Sequence, residues 1–223
     1  MMRYLVLSFL FFFTSAVMGQ QNQVTQDPAA GEVLAQVKQK FQTIKSLQSD
    51  YELAVEDRKE KTRETLQGNL TMKQNKYKIT SSQSVIWFNG TTLWSYSPTH
   101  HEVTISSPQP ETEDFMSHPS TFFNSYTRDF KYRYVQLTSV NGMPCHEIDL
   151  FPKNLNQPYS RIKVLVNIRT KMPLRISSIG KDGVDYIVTF KTMTLDMELS
   201  DSLFTFDASK YRKVETIDMR GLE

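Results

Sequence analysis

One cysteine in 223 residues, Cys145, removes two possibilities at once: the chain can form no internal disulfide and no thiolate metal cluster. Glycine is nearly as scarce, with 8 in the chain, and none is arranged in a phosphate-cradling loop. There is no GxSxG nucleophile elbow and no HExxH pair, so the common hydrolase and metalloprotease constellations are missing. Charge of one sign does not dominate either. With 26 Lys and Arg against 24 Asp and Glu, and no basic stripe interleaved with aromatics, nucleic acid is not an expected partner.

The histidines do not repair the deficit. His100 and His101 are adjacent in a polar stretch, and neighbours on a strand point to opposite faces, so they cannot share a metal and read as an exposed pair. Cys145 and His146 are sequence neighbours for which the same argument forbids a nucleophile and base dyad, leaving a buried, inert thiol. No catalytic residue, metal site or cofactor is therefore expected. An exported hydrolase with an unrecognised site is the alternative from another class.

Residues 1–19 combine Arg3, an apolar run from Leu5 to Phe13 and a small-residue exit ending at Gly19, the pattern of a cleaved secretory signal. An uncleaved anchor is the alternative, but the run is shorter than the ~20 residues a bilayer span needs. No cysteine stands at the cleavage point, which excludes a lipid-anchored exported form. The expectation is a polar, mobile segment over 20–26 and one soluble domain over 27–223, without stable membrane insertion.

Asp27-Pro28 is an N-cap followed by proline at the first helical position. Val33, Leu34, Val37, Phe41 and Ile44 then recur at helical spacing with a polar opposite face. From Leu47 the period becomes two: Leu47, Ser49, Tyr51, Leu53 and Val55 alternate with polar residues, as in a strand with one face covered. Further strands follow through Leu66 to Met72, Tyr77 and Ile79, Val85 and Trp87, Leu93 to Tyr96, and Val103 and Ile105. Asn89-Gly90 predicts a type I′ hairpin. The proline-rich stretch 106–120 reads as a loop, and Phe122, Phe123, Tyr126 and Phe130 as a short aromatic helix. A second series of strands runs from about Phe130 to Phe190, with turns at Asn141-Gly142 and Asp182-Gly183, and a last short strand is expected around Phe204 and Phe206 before a polar tail. Roughly ten antiparallel strands must curl, and the inner face must be filled by side chains, helices or a ligand.

The segment SVIWFNGTTLWSYSP, residues 84–98, holds Trp87, Phe88, Trp94 and Tyr96 around one turn. Cross-strand aromatic pairing accounts for part of this. Because Trp87-Phe88 and Leu93-Trp94 are adjacent pairs, however, bulky groups project from both faces, and one face must meet something besides its own core.

The ordered set LQGNLTMKQNKYKI, VIWFNGTTLWSYSP, NGMPCHEIDLFPK and FTFDASKYRKVETIDMR resembles the periplasmic outer-membrane lipoprotein carrier family, the LolA-like proteins, through nearly the whole chain beyond the signal. The resemblance implies an α+β fold: a strongly curved antiparallel sheet forming an unclosed half-barrel, with lid helices over its concave face. It implies a periplasmic carrier that holds the acyl chains of outer-membrane lipoproteins between sheet and lid. Such a carrier would take cargo from an inner-membrane releasing transporter, pass it to an outer-membrane acceptor, and work as a monomer by non-covalent transfer. A carrier or sensor of another lipid is the alternative within the same fold. By likeness, Val33, Val37, Phe41, Phe122, Phe123 and Tyr126 belong to the lid. Leu53, Leu70, Met72, Tyr77, Trp87, Trp94 and Tyr96 are the candidate cavity wall, with the concave face of the hairpin left unassigned. The family's best-studied branch latches its lid with an arginine; Gln74 falls on that position, and a neutral amide bonds more weakly than a guanidinium.

Overall fold

The structure is a computed structural model, and it describes residues 26–107 and 126–221. Helix α1 (Pro28–Thr43) begins as its cap signal predicts: the Asp27 carboxylate accepts a hydrogen bond from the Ala29 amide at 2.9 Å. Two meanders follow. The first comprises β1 (Ser46–Asp57), β2 (Thr62–Lys73), β3 (Lys76–Ser81), β4 (Val85–Phe88), β5 (Leu93–Ser97) and β6 (Glu102–Ser106). The second comprises β7 (Phe130–Val140), β8 (Met143–Pro152), β9 (Tyr159–Asn167), β10 (Pro173–Gly180) and β11 (Val184–Phe190). They join side by side where β11 pairs with β1, and a short β12 (Thr194–Leu195) extends that line beside Leu47 and Gln48. The last strand, β13 (Glu215–Asp218), runs parallel to β6.

The strand order is β13-β6-β5-β4-β3-β2-β1-β11-β10-β9-β8-β7, so β6 and β7, consecutive among the described strands, lie far apart, with β7 at one end of the path and β6 next to β13 at the other. The sheet is unclosed and strongly curved. Its curl is visible in the packing: Phe88 of β4 and Val164 of β9 belong to one apolar cluster together with Val33, Leu34 and Val37 of α1. Strands so far apart in the sheet share a core with one helix only if that helix lies on the concave side. Among the described residues no helix is long and apolar enough to cross a membrane.

Three expectations are corrected. Asn89-Gly90 is not a type I′ turn: Gly90 has φ +102° while Asn89 stays at negative φ and its side chain accepts from the Thr91 and Thr92 amides, an Asx turn within the connection 89–92. Asn141-Gly142 does have both residues at positive φ, 50° and 77°, as a two-residue I′ loop requires. The expected strand around Phe204 and Phe206 is a 3₁₀ turn, Asp201–Phe204, followed by extended chain, and the true final strand lies at Glu215–Asp218. That strand makes the sheet mixed and brings it to 13 strands among the described residues, more than the ten expected. Of the aromatic stretch, only residues 126–129 are seen as helix; Phe122 and Phe123 lie outside the described residues.

Candidate functional site: the inner face of the half-barrel

Residues directly opposite in an antiparallel pair share a face, so register lines turn strand pairings into rows across the sheet. One row reads Tyr134, Ile148, Val164, Ile176, Val188, Leu53, Leu66 and crosses seven strands from β7 to β2 without a polar main component. At ~4.8 Å between neighbouring strands, this apolar track is about 29 Å long. A second row, Leu195, Leu47, Met72, Tyr77, Phe88, Leu93, lines the lower part of the first meander, and Leu70, Ile79 and Ile86 lie between. All belong to or pack against the same cluster, Leu66 apart.

Cover over this face is uneven. Helix α1 buries Ala30, Val33, Leu34 and Val37, and its closest approach to the sheet is at β7. The members on β8 to β11 are accordingly buried, whereas Leu53, Leu66, Ile79, Ile86 and Leu93 on the first meander remain half-buried. Phe41 and Ile44, near the helix end, are half-buried against the cluster too. Tyr126 packs under the start of the helix, its ring meeting Tyr132 edge-on at 5.9 Å.

Asp27 fixes the start of α1 to the sheet. One carboxylate oxygen caps the helix, the other accepts from the Tyr134 amide at 3.0 Å, and the Asp27 amide donates to the Tyr132 carbonyl at 3.1 Å. The free edge of β7 is thus partly satisfied by the helix cap itself. Gly31 lets this contact close up, since a Cβ there would lie 3.3 Å from the Tyr132 ring. Gln74, by contrast, stands exposed in the two-residue turn between β2 and β3 with φ +55°, away from α1's anchored end.

The predicted wall divides. Leu53, Leu70, Met72 and Tyr77 share the inner cluster with Val33, Val37, Phe41 and Tyr126, the described residues expected in the lid. Trp87, Trp94 and Tyr96 are corrected: they lie on the outer face in a separate cluster with Val103, covered by Phe206, Tyr211 and Val214 of the C-terminal segment. Trp87 meets Phe206 at 5.5 Å and Tyr211 edge-on at 6.0 Å, while Tyr96 and Tyr211 are 4.6 Å apart. The segment is tied down where Asp201 takes Lys73 at 2.7 Å and Lys76 at 2.6 Å; bonds from these ammonium groups, Lys73 first, hold its carboxyl down at about 2. The hairpin's inner face is carried by the other alternation, Ile86, Phe88 and Leu93, which the sequence displayed but did not orient. Cys145 and His146 diverge as expected. The thiol is buried in an outer cluster with Val140, Leu165 and Leu174, where burial pushes its pKa up, and His146 faces the Tyr134 hydroxyl at 3.1 Å.

An open half-barrel lined with aliphatic and aromatic side chains, roofed on one half by a helix and less covered on the other among the described residues, presents a concave apolar surface of the kind that takes up apolar ligands. Residues 42–207 match the family described as outer membrane lipoprotein carrier protein LolA, and the chain belongs to that family. A curated relative, an uncharacterised protein of Methanocaldococcus jannaschii, is 23% identical over 206 residues, 92% of this chain; the chain spans 58% of that protein's length. An uncharacterised conserved protein of Thermus thermophilus shares the fold with a TM-score of 0.58 at 11% identity, covering 85% of this chain and 99% of the other. A LolA superfamily protein of Nitrosomonas europaea aligns at 13% identity with a TM-score of 0.43, over 80% of this chain and 98% of that one.

Proposed function

We propose that this protein is a soluble periplasmic carrier that holds lipoprotein acyl chains against the inner face of its half-barrel and moves them from inner to outer membrane without covalent chemistry. The observation that carries this reading is the half-buried strip Leu53, Leu66, Ile79, Ile86 and Leu93, an apolar surface that continues the core beyond its helical cover. Burying acyl chain is worth about 0.8 kcal/mol per methylene. Complete enclosure of one long chain would contribute on the order of ten kcal/mol, too much for ready release. Partial cover offsets part of that gain and lets a receptor withdraw the chain through a difference in affinity. The signal-like residues 1–19, an inner-membrane donor, an outer-membrane acceptor and a monomeric, cofactor-free mode of action complete the proposal.

Native mass spectrometry of the protein purified from the periplasm without detergent tests it. A stoichiometric acylated lipoprotein or its lipid moiety is the expected ligand. A retained lipid of another class would make it a specialised lipid carrier, and bare protein that also ignores added lipoprotein would overturn the proposal. Turnover of ester substrates would instead mark a hydrolase.

A further inference from the structure

The inner face contains a polar group with nothing to do. Tyr51 lies on β1 between Phe190 of β11 and Gly68 of β2, in the middle of the apolar floor. Its ring is laid across Gly68: a Cβ at that glycine would sit 2.5 Å from the Thr80 carbonyl oxygen and closer still to the tyrosine's own Cζ and hydroxyl. No side chain fits there, so glycine in the middle of a strand both admits the close approach of β3 and seats the ring. Neighbouring serines are already engaged. Ser49 donates to the Thr192 carbonyl, and Ser81 accepts from the amides of Gln83 and Ser84. Among the described residues the Tyr51 hydroxyl makes no hydrogen bond, although the residue is only 8% exposed. Burial pushes the phenol's pKa up, so it stays an O–H donor at neutral pH. Tyr126 and Tyr132 also hold unengaged hydroxyls, but they lie beneath the start of α1, whereas Tyr51 adjoins Leu53 and the less covered strip.

We propose that the Tyr51 hydroxyl, fixed by Gly68, donates a hydrogen bond to the carbonyl oxygen of an ester- or amide-linked acyl chain, so that the site selects acylated cargo over plain hydrocarbon. An apolar pocket with a few placed polar groups reads orientation and chemical class in this way, because a positioned donor favours the ligand whose carbonyl meets it. The inference rests on the carrier reading and adds the linkage that the site recognises.

The test is displacement of an apolar fluorescent probe from the full-length mature protein by methyl palmitate and by methyl hexadecyl ether, which differ only in the carbonyl. The ester is expected to compete roughly three- to tenfold better than the ether. Tyr51→Phe should abolish that preference by bringing the ester's affinity down to that of the ether. Equal competition by the two ligands in the unaltered protein, or a preference that survives Tyr51→Phe, overturns the inference and leaves the carrier reading standing. If neither ligand displaces the probe, the carrier reading falls and the inference with it.

Discussion

The hairpin strands β4 and β5 carry bulky apolar residues on both faces, and the two faces have different fates. On the outer face Trp87 and Tyr96 are buried and Trp94 half-buried in one cluster with Phe206, Tyr211 and Val214 from the same chain. On the inner face Ile79, Ile86 and Leu93 join the main cluster but stay half-buried. What separates the two surfaces, among the described residues, is how far the chain supplies its own cover. A surface sealed in cis contributes to stability, and one left partly open is available to a ligand. The aromatic excess of the hairpin therefore packs chiefly on the C-terminal segment, and the proposed binding surface is formed by its less conspicuous aliphatic neighbours.

Substitutions should separate the faces. Trp87→Ala opens the sealed face and should cost about 3–5 kcal/mol in urea unfolding, with probe affinity of the folded fraction unchanged. A loss of affinity equal to that of an inner-face variant would break the distinction. Asp27→Ala removes the helix cap and the bond to the Tyr134 amide, and should cost about 1–2 kcal/mol. Asp27→Ser keeps the cap and loses the reach to β7, so hydrogen exchange at Tyr134 should rise in both variants while helix content falls only in the alanine. Ile79→Gln, at a half-buried inner position, should change stability by less than about 1 kcal/mol yet weaken probe binding at least tenfold, since it places an amide where acyl chain would lie.

The smallest effect concerns acid. Asp201 is exposed, and its carboxyl, bonded by Lys73 and Lys76, is held down at about 2. A depressed carboxyl contributes stability that is complete above its unfolded value and is lost as pH falls through the folded one. Tryptophan fluorescence from the sealed face should therefore hold steady from neutral pH down to about 4 and change only on approach to 2. A transition near neutrality would show that other groups hold the segment.

Period-two alternation made most strands legible, because each strand of the meanders has one face toward the core. Leu53, Leu70, Met72 and Tyr77 follow that alternation and lie in or against the main apolar cluster, together with the helix stripe Val33, Val37 and Phe41 at its own helical spacing. Two things were not legible. Which face of β4 and β5 is concave depends on the curl of the whole sheet, and both alternations there are apolar, so local pattern could not choose. The strand Glu215–Asp218 has all four residues exposed and no amphipathic period; it exists because its amides and carbonyls complete the edge of β6. The role of Gly68 was hidden for a related reason, since only the packed structure shows Tyr51 occupying the space a side chain would need.

The distinction between the faces is tested most directly by photo-crosslinking with a lipoprotein whose acyl chain carries a diazirine, followed by residue-level mapping. Labels are predicted at Leu53, Leu66, Ile79, Ile86 and Leu93. Labels concentrated at Trp87, Trp94 and Tyr96 would place the lipid on the face that the chain itself seals, and would contradict the account.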